Sequence, residues 1–316
     1  QGDEELARVP NEREKPAARE IDTPHTSQPR IAVLGNVPYT LMITNAGGGY
    51  SKYGNIAINR WRLDGTRDNY GQWCYIRDVS TGRVWSAAHQ PTLTEANWYK
   101  VLFGSDRVTI LRGDDDIETH TEIAVASDDA AEVRRITVIN RSNVAREIEL
   151  TSYAEIVLGS GDADRMHPAF GNLFVQTEWL APNAAILATR RPRSFNEQRM
   201  WCGHVVALGH EAAGEVSCET DRAKFVGRGR SVRHPIAMEE SGPLSGTVGS
   251  VLDPVFALRA KVLVQPRASA VVTFTTFITD SRERAAELVV DHGIAAVFDH
   301  HGGAGEALDP GQGLDQ

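Results

Sequence analysis

A stretch of nineteen residues, RWRLDGTRDNYGQWCYIRD (residues 60–78, here called the charged loop), is dense in arginine, aspartate and aromatic residues. Aromatic rings can stack on the apolar face of a pyranose, while carboxylate and guanidinium groups hydrogen-bond its hydroxyls in pairs. These residue types indicate a sugar site. With one nearby tyrosine, the predicted contact residues are Tyr50, Arg60, Trp61, Arg67, Asp68, Trp73 and Tyr75. The alternative is a structural Arg–Asp network that pins the loop, with the tryptophans filling the core.

Three consecutive glycines, Gly47–Gly49, precede Tyr50 in the sequence TNAGGGYSKYG. A phosphate cradle needs such glycines to open a helix, whose free N–H groups hold the anion. Here Ile56 and Ile58 alternate as in a strand, and no Lys-Ser/Thr pair follows the glycines, so a phosphate site is excluded. We predict a turn with positive-φ glycines between two strands, which brings Tyr50 towards the charged loop.

Catalytic pairs and metal ligands are not marked by the sequence. Hydrolysis of a glycoside needs two carboxyl groups that face each other across the bond. The acidic residues show no such pairing; they include Asp114–Asp116, Glu118, Glu122 and Glu155. His89, His120 and His167 do not share metal-ligand spacing, and only the tail pair His300-His301 would bind nickel. The sequence therefore marks no catalytic pair, and we predict no metal site and no cofactor.

The composition excludes several classes of protein. The 316 residues carry a formal net charge of −9, which argues against nucleic-acid binding because a duplex requires a basic face. Three widely spaced cysteines give no disulfide framework or zinc site and favour a reducing compartment. The chain lacks an apolar run long enough to span a bilayer, and its charged first residues lack the apolar core of a signal peptide.

Period-two alternation dominates the middle of the chain and predicts antiparallel strands. Residues 146–158 place alternate apolar side chains on one face and acids on the other, which predicts a half-buried strand. Residues 132–157 are predicted to form a hairpin that turns at 141–143. Strands are also predicted in DIETHTEIAVA, YKVLFGSDRVTILRG, AAILATRR and KFVG. A strand–turn–strand unit is predicted in RAKVLVQPRASAVVTFTTFI, with Val272, Phe274, Thr276 and Ile278 on one face of its second strand.

One helix is predicted, in DSRERAAELVVDHG near the end of the chain. Asp280 and Glu283 have the spacing of a capping box, and Gly293 can end the helix. A long region, about 191–255, is rich in Gly, Arg and Pro, and such regions are functional or packed over a sheet. Many strands with one late helix predict an all-β sandwich or barrel.

The order of several motifs resembles a known family. The motifs are NAGGGYS, the charged loop, SAAHQPT, DIETHTEI, ELTSYAEIVL, HPAF, LFVQTE, CETDRAKFVGRGR and PLSGTVGSVLDP. They follow one another as in the N-terminal β-supersandwich domain of glycoside hydrolase family 94. The resemblance covers roughly residues 24–292. Within the family, this sequence is similar in particular to the carbohydrate-binding-like region of cyclic β-1,2-glucan synthases. One departure is Val37-Pro38, which replaces a Gly-Arg pair of the family, so no ligand contact is carried over to that turn.

The resemblance implies an antiparallel, galactose-mutarotase-like β-supersandwich over 25–292, flanked by a disordered or linker segment at 1–24 and a linker or tail at 293–316. The family places its catalytic aspartate in an (α/α)6 barrel that is absent here. The implied function is a non-catalytic domain that positions β-1,2-glucan chains for a glycosyltransferase or phosphorylase. The alternative is a purely structural domain that packs on the barrel or on a second subunit.

The implied partners are a β-glucan oligosaccharide or polysaccharide and the catalytic domains of the parent chain, with a homodimer also allowed and nucleic acid excluded. The implied location is the cytoplasmic side of the bacterial inner membrane, within a larger protein, with the fragment itself soluble.

Overall fold

The structure, a computed structural model, describes residues 18–192, 197–209, 211–239 and 241–293. The strands in these ranges are β1 (Arg19–Ile21), β2 (Ile31–Asn36), β3 (Tyr39–Thr44), β4 (Gly49–Tyr53), β5 (Ile56–Asn59), β6 (Gln72–Asp78), β7 (Val84–Ser86), β8 (Trp98–Phe103), β9 (Arg107–Asp114), β10 (Ile117–Val125), β11 (Ala131–Asn140), β12 (Arg146–Ser160), β13 (Val175–Leu180), β14 (Ala185–Arg190), β15 (Trp201–Leu208), β16 (Ser217–Asp221), β17 (Pro254–Val264) and β18 (Ser269–Thr279). The helices are α1 (Gly161–Met166), α2 (Pro168–Asn172), α3 (Arg222–Val226) and α4 (Arg282–Gly293), with 3-10 turns at Ala181–Asn183 and Ile236–Met238.

The strands form two antiparallel sheets that pack face to face. Sheet I has the order β1-β8-β9-β10-β11-β18-β15-β14-β13. Sheet II has the order β16-β17-β12-β5-β4-β3-β2, and β6 joins it by pairing with β12 and β7. The long strand β12 pairs with β17 along one edge and with β5 and β6 along the other. The predicted all-β antiparallel supersandwich with a short C-terminal helix is confirmed.

The largest apolar cluster lies between the two sheets. Alternation supplies it with inward-facing side chains from both layers, including Ile76 and Leu150 of sheet II and Ile136, Val272 and Phe274 of sheet I. Burial of each such side chain contributes roughly 1.5–3 kcal/mol. The shared face predicted for alternate residues of β18 is confirmed, because all of them are buried.

The outer face of sheet II is also covered, which makes the prediction of a half-buried strand at 146–158 wrong. Glu149, Thr151 and Tyr153 lie on the predicted solvent face, yet each is only 1% exposed. Residues 222–239 and 241–244 pack over this face: Phe225 packs on Tyr153, and Ser241 Oγ donates to Glu149 Oε1 at 2.7 Å. Part of the long region predicted as irregular therefore covers the outer face of sheet II.

The hairpin predicted over 132–157 is wrong. Strand β11 pairs with β10 and β18 in sheet I, whereas β12 belongs to sheet II. The strands β17 and β18 exist as predicted but also lie in different sheets. Each connection crosses between layers because both of its strands contribute an apolar face to the same inter-sheet core.

Helical segments differ from the predictions in detail. The predicted strand KFVG is helix α3, and the side chain of Asp221 caps it by accepting from Ala223 N at 2.9 Å. Helix α4 is confirmed, but its cap is Ser281, whose Oγ accepts from Arg284 N at 3.1 Å. The strands β15 and β16 lie in the predicted irregular region.

The N-terminal boundary lies earlier than predicted. Residues 19–21 form β1 and pair with β8, so part of the predicted linker at 1–24 belongs to the sandwich. Residues 1–17 and 294–316, including the histidine pair of the tail, lie outside the described residues. Within the part of the chain that the structure describes, no helix is long and apolar enough to cross a membrane.

Candidate functional site

The glycine run forms the turn between β3 and β4, as predicted. Gly47 has a φ of +97° and Gly49 of +153°, conformations that residues with a Cβ rarely adopt. A Cβ on Gly48 would overlap the carboxylate of Asp68. Gly49 N also donates to the carbonyl of Tyr70 at 2.8 Å. The turn therefore lies directly against the charged loop.

Asp68 is half-buried beneath this turn. Thr44 Oγ1 accepts from Gly48 N at 3.0 Å and donates to the Asp68 carboxylate. Burial raises the pKa of Asp68 to about 6, and the hydrogen bond from Thr44 opposes only part of that rise. Asp68 has a φ of +46°, a left-handed conformation that aspartate tolerates better than most residues. A carboxyl group that titrates near neutral pH thus lies where the turn meets the loop.

Tyr50 and Trp61 line a cleft of about 290 Å³ on the outer side of sheet II. Their ring centroids are 5.2 Å apart and their planes are inclined by 65°. Lys52 Nζ lies 5.7 Å from the centroid of the Tyr50 ring. The remaining walls are mainly polar and include Asn55, Asn59, Arg62, Asp164 and Arg165. Aromatic rings beside converging amide, guanidinium and carboxylate groups are typical of a carbohydrate-binding cleft.

Arg60 borders this cleft, but its side chain is engaged in ion pairs and hydrogen bonds within the domain. Its side chain is 10% exposed and pairs with Glu155 at 2.7 Å, Asp164 at 3.2 Å and Asp253 at 3.4 Å. It also donates to Asn172 Oδ1 at 3.0 Å. Burial alone would lower the pKa of Arg60, but the surrounding carboxylates raise it above its ordinary value. Arg60 therefore ties β12 to α1, α2 and the segment before β17.

Two further arginines extend this network. Arg222 pairs with Glu155 at 2.8 Å and with Asp253 at 3.6 Å. Arg62 pairs with Asp164 Oδ2 at 2.7 Å and donates to the Asp164 carbonyl at 3.0 Å. Burial raises the pKa of Glu155, but the guanidinium groups beside it hold that pKa below its ordinary value. These contacts form a structural Arg–Asp network, which is the alternative interpretation of the charged loop.

Trp73 and Tyr75 lie in the interior. They are 6% and 0% exposed, and they pack with Tyr153 and Phe225 beneath the covering segment. Tyr75 Oη donates to the Val232 carbonyl at 2.6 Å. Trp73 also borders a cavity of about 30 Å³ between the sheets, which has room for one or two waters and none for a sugar. These two residues offer no accessible surface to a ligand.

Arg67 lies apart from the cleft. Its side chain is 74% exposed, and its Nε lies 3.9 Å from Asp64 Oδ2. Its carbonyl accepts from Gln90 Nε2 at 2.7 Å. Of the predicted contact residues, the structure brings together Tyr50, Trp61 and Arg60 at one cleft and leaves the others elsewhere.

The sequence matches the family model described as "Glycosyl hydrolase 94, supersandwich domain" over residues 14–293. The chain belongs to this family. As a glycosyl hydrolase 94 supersandwich domain, it has the two-sheet architecture that the resemblance implied, and the cleft of Tyr50 and Trp61 lies on one of those sheets.

Curated relatives of this supersandwich domain are sugar-processing proteins. The chain is 31% identical over 286 residues to cyclic beta-(1,2)-glucan synthase NdvB of Rhizobium meliloti, covering 90% of this chain and 10% of the relative. It is 25% identical over 252 residues to N,N'-diacetylchitobiose phosphorylase of Vibrio furnissii, covering 78% of this chain and 30% of the relative. The chain thus spans a third or less of the length of these relatives.

Solved structures with a similar backbone are more distant in sequence. A proposed aldose 1-epimerase from Escherichia coli K12 has a TM-score of 0.43 at 8% identity, with 80% of this chain and 100% of that chain covered. A bacterial glucoamylase complexed with acarbose has a TM-score of 0.44 at 6% identity, with 89% of this chain and 38% of that chain covered.

An apolar corner of the supersandwich domain lies beside the cleft. Met166, Phe170, Leu173 and Leu252 are 72%, 49%, 54% and 78% exposed. Leu252 precedes Asp253, which accepts from Asn172 Nδ2 at 2.8 Å, so the loop before β17 lies against α2. We call these four side chains the apolar corner. Large side chains exposed together are typical of an interaction surface.

Several cleft residues escaped the sequence-based prediction. Lys52 and Asn55 come from the β4–β5 hairpin, where polar residues are the default and carry no signal. Asp164 comes from a short helix about a hundred positions beyond Trp61, and only the fold brings the two together. Arg62 lies in the charged loop, and its position next to Trp61 is the one signal that could have marked it.

Proposed function

We propose that this glycosyl hydrolase 94 supersandwich domain binds β-1,2-linked glucan and positions it for a catalytic domain of the same protein. The observation that carries the proposal is the cleft in which Tyr50 and Trp61 stand edge to face among polar side chains. The linkage follows from the similarity to the cyclic β-1,2-glucan synthase NdvB.

The aromatic pair supplies the apolar part of recognition. Both rings are half-buried, so each keeps one accessible surface while its orientation is fixed by packing. A rigid ring loses little conformational entropy when a pyranose stacks on it. The rings of Tyr50 and Trp61, inclined by 65°, offer one ring face and one ring edge, which suits the bent course of a chain with a 1,2 linkage.

The polar walls supply the orienting part of recognition. Lys52 and Asn55 lie on a hairpin at the rim, where their side chains can reach the hydroxyls of a bound sugar. Arg62 is held in place by Asp164, so its guanidinium is pre-oriented. Asp164 is itself engaged with two arginines. Both oxygens of this carboxylate are thus held by guanidinium groups, which supports a binding role over hydrolysis.

A calorimetric titration with linear β-1,2-gluco-oligosaccharides tests the proposal, with cello-oligosaccharides as the control ligand. We expect saturable heat for the β-1,2 series alone. Trp61→Ala should weaken binding about tenfold, equivalent to about 1.4 kcal/mol, because it removes the stacking surface. The matched control is Trp98→Ala, which removes a tryptophan that is 43% exposed and absent from the cleft lining.

Two results would contradict a glucan-binding function. One is the absence of heat with either ligand series from a folded domain. The other is equal weakening by Trp61→Ala and Trp98→Ala, which would show that the cleft does not recognise the ligand. Release of reducing sugar from the oligosaccharides during the titration would contradict the proposed lack of independent catalysis.

A structural docking role is the second candidate, and the apolar corner favours it. Phe170 and Leu252 belong to that exposed surface, and the relatives of this domain are several times longer than the chain. The occupant proposed for the corner is a catalytic domain of the parent protein. Phe170→Asp should weaken association of this domain with the remainder of the parent chain, while Val290→Asp, at a position 45% exposed on α4, should not. Equal effects of the two substitutions would argue against docking at the corner.

The location on the cytoplasmic side of the inner membrane remains part of this proposal. It rests on the similarity to NdvB and on the predicted reducing compartment. All three cysteines are buried and unpaired, which fits such a compartment.

A further inference from the structure

Three potential metal ligands converge at the N-terminal edge of the domain. His25 Nε2 lies 3.0 Å and 3.1 Å from the two carboxylate oxygens of Glu95. The ring of His89 stands edge-on to that of His25, with centroids 4.7 Å apart. One donor atom from each residue lies within 4.8 Å of the others. We call these residues the His–His–Glu cluster.

Buried contacts hold the two histidines in place independently of each other. Asn45 is 1% exposed, and its Nδ2 donates to the carbonyl of Thr23 at 3.0 Å, while its Oδ1 accepts from Arg30 N at 2.9 Å. This fixes the strap (residues 22–30) that carries His25. The loop that carries His89 is anchored at Ala46, the residue after Asn45, because Gln90 N donates to the carbonyl of Ala46 at 2.9 Å. The cluster therefore forms across two segments anchored at positions 45 and 46.

We propose that the His–His–Glu cluster binds a divalent transition metal of the zinc class, with His25, His89 and Glu95 as ligands and a solvent molecule completing the coordination. Two imidazoles and one carboxylate are a donor set that zinc favours. A tetrahedral zinc ion about 2.0–2.2 Å from each ligand keeps the ligand atoms roughly 3.4 Å apart. The His25–Glu95 separation of 3.0 Å is slightly shorter than that spacing, and the His89 donor lies within 4.8 Å of both partners.

Small side-chain movements can complete this geometry. The side chains of His25 and Glu95 are 57% and 71% exposed, so they can rotate without disturbing the core. His89 is 7% exposed and stays fixed, which gives the ion one rigid ligand. The exposed side of the cluster leaves room for a water ligand and a path for the ion.

Two arginines near His89 set an upper limit on affinity. Arg112 forms a bidentate pair with Asp114, with both contacts at 2.7 Å, so its charge is compensated. Arg233 donates to the Thr92 carbonyl, a neutral acceptor, at 3.2 Å, and its charge acts on His89. The site should therefore bind a divalent ion less tightly than one without a neighbouring cation.

Bound metal would fasten the strap to the loop that carries His89 and Glu95. The sequence shows no shared metal-ligand spacing among His89, His120 and His167. The structure places His120 on β10 and His167 between α1 and α2, outside the cluster. The sequence does not predict His25 and Glu95 as ligands, because their spacing along the chain carries no signal.

The test is a titration of the full 316-residue chain, without an affinity tag, with zinc chloride alone. The tail histidines are removed in the background by His300→Ala and His301→Ala, because two adjacent histidines can bind metal independently of the cluster. We expect one zinc per chain and a rise in the midpoint of thermal unfolding. Cobalt chloride should give the visible absorption of a tetrahedral nitrogen–oxygen site.

Because the side chains of His25 and Glu95 are exposed, variants at these two positions should still fold. His25→Ala and Glu95→Gln should each weaken zinc binding by at least about tenfold, since even changes behind the ligands cost roughly 10–100-fold. His167→Ala removes an exposed histidine outside the cluster and should leave binding unchanged. No saturable zinc binding, or equal affinity in all four proteins, would overturn the proposal.

Discussion

Replacement of Asp68 by asparagine should stabilise the domain at neutral pH and flatten its pH dependence. Asparagine keeps the shape of the side chain, accepts the hydrogen bond from Thr44, and tolerates the left-handed backbone at this position. The substitution therefore removes the charge and leaves the packing beneath Gly48 in place. Any change in stability then reports on the cost of ionising this carboxyl group.

The magnitude follows from the pKa of Asp68. An aspartate in the unfolded chain has a pKa of about 3.9, and burial raises that of Asp68 to about 6 in the folded domain. Between these two pH values the folded state binds more protons than the unfolded state, so stability falls as pH rises. One pKa unit corresponds to about 1.4 kcal/mol, so the full effect is at most about 3 kcal/mol, reached above pH 6.

Urea unfolding of both proteins between pH 4 and 8 measures this effect. The difference in the free energy of unfolding between the variant and the wild type should be near zero at pH 4 and grow to about 2–3 kcal/mol at pH 7. Other titrating groups contribute equally to both proteins and cancel in the difference.

The matched control is Asp64→Asn in the same loop. Hydrogen bonds from Thr66 hold the pKa of Asp64 below its ordinary value. Its ionised form therefore favours the folded state, and the substitution should lower stability at pH 7. A variant at Asp68 whose profile runs parallel to the wild type, or which is less stable at pH 7, would refute the argument that burial outweighs the hydrogen bond from Thr44.

Three further substitutions test the framework around the cleft. Arg60→Leu should lower the free energy of unfolding by about 1–3 kcal/mol in urea, because it removes one of the two arginine partners of each of three carboxylates; Arg60→Lys should recover part of the loss. Gly49→Ala should cost about 1–3 kcal/mol because a Cβ there would overlap the carbonyl of Met42, whereas Gly161→Ala, with open space around it, should cost much less. Burial lowers the pKa of His204 to about 3, so the unfolded chain takes up its proton first and stability should fall as pH drops from about 6.5 towards 3; in His204→Gln, acid titration followed by circular dichroism should show a smaller loss, and an unchanged loss would contradict this assignment.

The sequence predicted the layers of the fold better than their connections. Alternation in β18 identified an apolar face correctly, because a strand needs only its own residues to show that pattern. Alternation in β11 and β12 could not show that the two strands pair with different partners in different sheets. The four residues KFVG are too short for periodicity to distinguish a strand from a helix.

The sequence also predicted only part of the candidate site, because local patterns do not show which distant segments come together. The glycine turn and its approach to the charged loop followed from local chemistry, and the structure shows both. Trp73 and Tyr75 face the same side of sheet II as the proposed cleft, but a segment about 150 residues later covers them. A sequence pattern shows which residues share a face and does not show what lies on that face.

The cleft and the apolar corner are physically connected through one segment. Helices α1 and α2 present Met166 and Phe170 to solvent on one side, and on the other side Asp164 holds Arg62 at the wall of the cleft. A partner that shifts this segment on docking must also shift that wall, because Arg60 binds both helices to β12. Linkage makes such an effect reciprocal: if docking changes the affinity for glucan by some factor, glucan changes the affinity for the docked partner by the same factor. The proposed binding role and the proposed docking role would therefore use one arginine-centred framework, and evidence for either one does not exclude the other.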